Sequence, residues 1–200
     1  VIDNWSRRAD TQAFLRGLPA RDARVRVLHW NHPFNFSALN NFAAGQAEGD
    51  LLAFLNNDVV PLQRGWLREL VSQACRDGIG CVGAKLYYPD DTVQHAGIIL
   101  GINGVADHGH KHLPRDDPGY CGRLGSVQNL SAVTAACMVM RRAVFERVGG
   151  FNAADLAIAY NDVDLCLRVL EAGYRNLWTP HAELRHFESV SRGRRGGMRQ

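Results

Sequence analysis

The stretch Gly49-Asp50-Leu51-Leu52-Ala53-Phe54-Leu55-Asn56-Asn57-Asp58 decides how this chain is read. Its apolar run, Leu51 to Leu55, is too short for an independent helix and lies between polar turn residues. A short continuous run of this kind marks a strand buried on both faces, as in sheets covered by helices. The polar residues that follow it fall at the carboxyl end of that strand, where open α/β sheets bind their ligands.

Outward from this strand, helix-like and strand-like segments alternate. Ser6 to Leu18 predicts a helix and Val25 to Trp30 a strand. Phe36 to Glu48 predicts a helix, with Ser37 near its start and Gly49 beyond its end. Trp66 to Cys75 predicts a helix carrying Trp66, Leu67, Leu70, Val71 and Ala74 on one face, and Cys81 to Tyr88 a strand. This βαβα rhythm argues for an α/β fold with a mixed, mostly parallel sheet flanked by helices. The second half is less regular. Strands are expected at Ala96–Leu100, Ala132–Met140, Asn176–Thr179 and Glu183–Phe187, and helices at Arg142–Val148 and Asp162–Ala172. Asn161 can cap the last helix and Gly173 can end it. Gly101 to Gly125 reads as a loop facing substrate.

Composition narrows the class. The chain has 200 residues, 46% hydrophobic and 22% charged, with 20 Gly and 7 Pro, which excludes collagen-like, coiled-coil and disordered proteins. No apolar run reaches the roughly 18 residues a membrane span needs. Val1-Ile2-Asp3 reads as folded-domain sequence, so no secretory leader is expected there. The net charge is +3, and the tail Arg192 to Gln200 holds four arginines without an acid. The body is therefore near neutral, against a nucleic-acid partner, which needs a basic folded face. A disordered tail is the expectation for residues 192–200; a peripheral contact with anionic lipid is the alternative. Five cysteines, an odd number without a C-x-x-C pair, predict buried thiols in a reducing, cytoplasmic setting.

Three polar clusters could carry chemistry. In Asn56-Asn57-Asp58, a carboxylate flanked by amides suits a hard divalent cation that also touches phosphate; an Asn/Asp turn before Val59-Val60-Pro61 is the alternative. In Asn161-Asp162-Val163-Asp164, the two acids cannot share a helix face. Asp164 can pair with Arg168 one turn on, leaving Asp162 free to accept a proton. The alternative is that Asn161 and Asp162 only cap the helix and meet its dipole. In the segment from His186 to Gly193, the histidine can ligate a metal or be a satisfied structural side chain. His108, His110 and His112 would share one face if extended, but the glycines around them and Lys111 between them favour a loop. Tyr160 and Trp178 offer aromatic faces on which an acceptor sugar could stack, with Asn161 beside them.

Taken together, these stretches resemble family 2 glycosyltransferases of the GT-A fold, of the bacterial surface-polysaccharide and O-antigen type, some of which use rhamnose. The resemblance is carried by Val1 to Ser6, Phe34 to Asn41, Gly49 to Asp58, Gly149 to Asn152, Asn161 to Arg168 and His186 to Gly193. It implies an enzyme that moves a sugar from a nucleotide-diphosphate donor to a hydroxyl of a glycan or lipid-linked acceptor, with inversion. It implies that Asp3 contacts the nucleotide base and that Asn41 borders the nucleotide site. Asn56-Asn57-Asp58 matches the Asp-x-Asp motif that holds Mg2+ or Mn2+ and meets the donor, with an amide in place of its first acid. Asn161-Asp162 matches a Glu-Asp motif whose second residue is the catalytic base, and His186 matches a histidine that completes the metal shell. The family's domain opens with a further strand. The chain is therefore expected to be an N-terminally incomplete piece of a longer protein, with residues 1–191 as its catalytic domain, working in the cytoplasm or at the inner membrane face. Two alternatives stand beside this reading. One is a non-catalytic nucleotide-sugar or glycan-binding relative, or a truncated inactive fragment; the other is a metal-dependent hydrolase of phosphate esters.

Overall fold

The computed structural model describes residues 1–187, which fall into two units, Val1–Glu48 with Phe151–Asn161, and Gly49–Gly150 with the chain from Asp162 onward. The basic tail and the Glu188–Gly193 part of the last motif lie outside the described residues.

The first unit contains β1 (Ile2–Asp3), α1 (Ala9–Arg21), β2 (Leu28–His29) and α2 (Phe36–Gln46). β1 and β2 pair in parallel, Ile2 opposite Leu28. The strand expected from Val25 to Trp30 shrinks to two residues in ladder register with β1, although the Trp30 N–H still donates to the Asp3 carbonyl at 2.8 Å. The helix expected from Ser6 begins three residues later, at Ala9, and carries Pro19 close to its end. α2 is capped by Asn35 rather than Ser37: the Asn35 side chain accepts the Ala38 N–H at 2.8 Å. The Phe151–Asn161 segment folds back onto α2. Asn35 Nδ2 donates to the Ala153 carbonyl at 2.9 Å, and the Phe36 and Phe151 rings meet edge-on at 5.8 Å.

The second unit holds β3 (Leu51–Leu55), β4 (Val59–Pro61), α3 (Trp66–Ala74), β5 (Ile79–Tyr87), β6 (Val93–His95), β7 (Ile98–Leu100), β8 (Ala106–His108), a short 3₁₀ segment at Tyr120–Gly125, β9 (Gln128–Leu130), β10 (Cys137–Arg141), α4 (Arg142–Arg147), α5 (Asn161–Glu171) and β11 (Arg175–His186). Its main sheet runs β3-β10-β5-β11-β4, with β6 beside β5 and β9 beside β11. β3, β5 and β11 run in one direction, as the alternating segments predict. β10 enters antiparallel between β3 and β5, and β4, β6 and β9 are antiparallel to their neighbours. The sheet is thus mixed: the short returning strands need no crossover helix, so parallel ladders are fewer than the rhythm suggests.

β5 is the spine, buried at every one of its nine positions. α3 covers one face of the sheet with Leu70 and Ala74, Trp66 and Val71 packing at the margin; Leu67 points away and is exposed. α5 covers the other, its Val169 so close to Gly80 that a side chain there would collide with it. β3 departs from expectation. Leu52 and Phe54 are buried, Phe54 against Phe145, but Ala53 and Leu55 are exposed, so the strand is not covered on both faces. The two closing strands expected after Asn176 are the arms of the single strand β11, separated by a register shift between Trp178 and Glu183, where Pro180 cannot donate to the ladder. Cys81, Cys137 and Cys166 are buried as expected, and burial pushes the Cys137 thiol up to about 12; Cys75 and Cys121 are exposed.

Close packing on β5 gives the first prediction. A methyl at Gly83 would come within 2.5 Å of the Val133 Cβ, whereas one at Gly45 in α2 meets nothing within 4 Å. Gly83→Ala should lower stability by about 1–3 kcal/mol through overpacking. Gly45→Ala should raise it by roughly 0.5–1 kcal/mol. Denaturant midpoints of the two variants against the parent chain check both signs.

Candidate active site

The turn after β3 is closed by a backbone bond from the Val59 N–H to the Asn56 carbonyl at 3.3 Å. It leads straight into β4, so the turn reading of Asn56-Asn57-Asp58 is correct as local structure. That turn also delivers the Asp58 carboxylate to a partner. β4 pairs with the end of β11, Val59 opposite His186, and the Phe187 N–H donates to the Asp58 carbonyl at 2.9 Å. Asp58 Oδ1 therefore lies 3.2 Å from His186 Nε2. The two are within ion-pair distance, yet Oδ1 is buried and makes no hydrogen bond. The Asn56 side chain approaches the same Nε2 at 3.5 Å. The other ring nitrogen, Nδ1, contacts Gln94 Oε1 at 2.8 Å. All three residues expected around a cation, Asn56, Asp58 and His186, are thus brought together. One of the three is an amide, and among the described residues no group of three His, Cys, Asp or Glu side chains forms a metal cluster. An orphaned carboxylate oxygen facing an imidazole nitrogen is nonetheless a donor pair that fits a divalent cation.

Asp162 opens α5, as the sequence predicts. Its Oδ2 accepts the Ala135 N–H at 3.1 Å, and its Oδ1 accepts the Val163 N–H at 2.9 Å. Asp164 pairs with Arg168 one turn on, at 2.6 Å, which separates the structural acid from the free one. The segment that holds Asp162 also meets the β3 turn: the Asn56 N–H donates to the Ala136 carbonyl at 3.0 Å. Two consecutive residues, Ala135 and Ala136, therefore tie Asp162 and Asn56 to one piece of backbone. Thr134, just before them, donates its N–H to the buried His95 at 3.4 Å. Burial, with His108 and His186 nearby, holds His95 well below the usual imidazole range. His95 Nδ1 in turn meets His108 Nδ1 at 2.6 Å.

Other expected site residues fare differently. Asp3 lies at the end of β1, where its carboxylate accepts the Ser6 N–H at 3.0 Å; the Ser6 side chain leads in pulling its pKa down, and that N–H adds to it. Asn41 spends both ends of its amide on the Phe151 backbone, at 2.8 and 2.9 Å, so it clasps that segment rather than facing a ligand. Trp178 is a correction. It is wholly buried, with its indole N–H on the Ala84 carbonyl at 3.1 Å, and belongs to the core rather than to a sugar-stacking surface. Tyr160 is exposed and takes a positive φ of 59°, uncommon for a bulky residue. Asn161 is buried, its Nδ2 without a partner, and Asn57 is exposed. The imidazoles of His108, His110 and His112 do not share a face: β8 ends at His108, His112 stacks on Tyr88 at 5.0 Å, and His110 follows a separate turn. An open cavity of about 560 Å³ runs past Ile98, Arg123, Leu130 and Arg175; His110 lines it, and Asp58, Asp162 and His186 do not. Gln94, Thr134 and Ala135 were not singled out from the sequence. Nothing in the Val93 to Leu100 segment, where His95 follows Gln94, marks the first; the other two act through backbone, which leaves no trace in residue type.

Comparison with known proteins identifies the family. The model of glycosyl transferase family 2 matches residues 1–149. An uncharacterized protein of Sinorhizobium fredii, y4gI, is 53% identical over 96% of this chain and 21% of its own length. The O-antigen biosynthesis protein RfbC of Myxococcus xanthus is 44% identical over 96% of this chain and 15% of its own. The chain thus spans about a fifth or less of these relatives. The solved structure of GalNAc-T7 with UDP, GalNAc and Mn2+ superposes with a TM-score of 0.74 at 14% identity, covering 95% of this chain and 37% of that one. That likeness shows the fold, the GT-A arrangement expected from the motifs. The chain belongs to glycosyl transferase family 2. The family match ends before Asp162 and His186, whose assignment rests on the geometry above.

The Asp162 contacts generate a stability test. Asp162→Ala leaves the Ala135 N–H without its acceptor and should cost about 1–3 kcal/mol. Asp162→Asn keeps one side-chain oxygen for the Ala135 N–H but turns an NH2 group toward the Val163 N–H, and should cost about 0.5–1.5 kcal/mol. Chemical denaturation of both variants measures the difference.

Proposed function

We propose that this chain carries the catalytic machinery of an inverting glycosyltransferase, which moves a sugar from a nucleotide-diphosphate donor to a hydroxyl of a glycan or lipid-linked acceptor. The observation that carries the reading is the pairing of two acceptor atoms, Asp58 Oδ1 and His186 Nε2, 3.2 Å apart, beside the backbone that holds Asp162. Asp58 and His186, with Asn56 after a half-turn of its amide, would hold Mg2+ or Mn2+, which supplies positive charge to the diphosphate leaving group.

The chain's own residues do the rest. Asp162 takes the proton of the acceptor hydroxyl as its oxygen bonds to C1 of the sugar, and the C1–O bond to the diphosphate breaks. A base so placed contributes about 10²–10⁴ in rate. The N–H groups of Ala135 and Val163 orient the carboxylate while leaving lone pairs on both oxygens. Attack opposite the leaving group inverts C1, and no second carboxylate acts as nucleophile. Asp3 and Asn57 are assigned to the donor, and Tyr160 and Asn161 to the acceptor side; Asn41 acts through the Phe151 segment it clasps. The similarity to an O-antigen biosynthesis protein, of which this chain covers 15%, supports a surface-polysaccharide acceptor and a role within a longer chain. Among the described residues no helix is long and apolar enough to cross a membrane.

A second reading is favoured by two amides. Asn56 and Asn161 stand where the resembled motifs carry acids, as in a relative that binds a nucleotide sugar or glycan without turning it over. A panel of sugar nucleotides, each with Mn2+ and candidate acceptors, separates the readings. Transfer that depends on acceptor, inverts the anomeric centre and falls at least about 10²-fold in Asp162→Asn with donor binding kept is the expected result. Donor binding without turnover in the parent chain would favour the second reading. Donor breakdown independent of acceptor would point to a hydrolase.

A further inference from the structure

We infer that Gln94 is a positioning residue that fixes the tautomer and aim of His186, so that the Nε2 lone pair faces Asp58 and is available to a divalent cation. The inference deepens the cation reading of Asp58 and His186 and rests on it for the identity of the ligand.

The argument starts from a backbone carbonyl. The Gln94 side chain touches His186 twice: its Nε2 donates to the His186 carbonyl at 3.4 Å, and its Oε1 lies 2.8 Å from Nδ1. A carbonyl oxygen can only accept, so the NH2 end of the amide must face it. That leaves Oε1, also an acceptor, against Nδ1. Two lone pairs at that distance would repel, so Nδ1 carries the hydrogen. In a neutral imidazole Nε2 is then the bare nitrogen. It faces Asp58 Oδ1, which has no hydrogen-bond donor of its own, so these two acceptors also repel each other unless a positive charge, a cation or a proton, stands between them. The contact from Asn56 Nδ2 at 3.5 Å agrees, since an amide N–H needs an acceptor there.

Gln94 is suited to this role by rigidity. It is 3% exposed and sits in the middle of β6. Val93 before it is bonded on both sides, donating to the Leu113 carbonyl and accepting the His112 N–H, each at 2.8 Å. His95 after it receives the Thr134 N–H, next to the residues that hold Asp162. One short strand thus orients the imidazole from behind, the relation by which outer hydrogen bonds tune metal-binding histidines.

The test combines a spectrum of the metal-free chain with a Mn2+ titration. Long-range ¹H–¹⁵N spectra, recorded where imidazoles are neutral and with the His186 signal assigned by its absence in His186→Ala, report which nitrogen is protonated. The parent chain should show Nδ1–H. Gln94→Leu removes the acceptor, and Gln94→Asn, a second variant that keeps an amide but falls short of the ring, guards against a folding defect in the first. Both should lose the single tautomer and weaken Mn2+ binding by about 10–100-fold. An Nε2–H tautomer in the parent chain, or unchanged Mn2+ affinity in folded Gln94→Leu and Gln94→Asn, would overturn the proposal; a merely structural Gln94 would lower the melting temperature and move neither readout. A parent chain that shows Nδ1–H but binds no Mn2+ would contradict the cation reading while upholding the tautomer assignment.

Discussion

The candidate site depends on one antiparallel contact, the pairing of β4 with the end of β11. Val59 lies opposite His186, and Phe187 bonds back to the Asp58 carbonyl. Without it, the Asn56-Asn57-Asp58 turn would be a polar connection between two strands, and His186 an imidazole at the end of a third. With it, a carboxylate and an imidazole from positions far apart in the chain are held within contact distance and partly out of water. Burying an acidic oxygen without a donor is costly, of the order of 1–3 kcal/mol or more. The strands around it, β5 and β11, are deeply buried, and the cation proposed for the site would offset that cost.

The second constraint is the backbone from Val133 to Ala136. It packs against Gly83 on β5, receives Asn56 through Ala136, and holds Asp162 through Ala135. The residue types here are small, and their work is done by N–H and C=O groups. A carboxylate held by backbone amides is oriented without spending another side chain, and its freedom is set by the sheet. In this way the packing of the central strand reaches the chemistry: the side chain that Gly83 lacks makes room for the segment that aims Asp162.

Much of this was legible in the sequence. Alternating segments predicted the layered α/β unit, and Asp164 with Arg168 identified the structural acid of α5. The coincidence of Asn56, Asp58 and His186 was readable through the family motifs, although their spacing alone favoured a plain turn and a satisfied histidine. What was not legible depended on tertiary partners. Leu51 to Leu55 is apolar throughout, yet Ala53 and Leu55 are exposed, because composition cannot reveal which side of a strand is covered. Trp178 near a polar segment suggested a sugar face; its indole N–H found a backbone acceptor inside the sheet instead. Asn41 looked like a binding amide and is consumed by the Phe151 backbone. Gln94 passed unnoticed because a buried glutamine announces nothing until its two partners are known.

The most direct measurement of the account is pulsed electron paramagnetic resonance of Mn2+ bound to the chain with a nucleoside diphosphate. The account predicts nitrogen hyperfine modulation from one imidazole, abolished in His186→Ala while the phosphorus coupling of the nucleotide persists. Bound Mn2+ with phosphorus coupling but no imidazole nitrogen in the parent chain would contradict it.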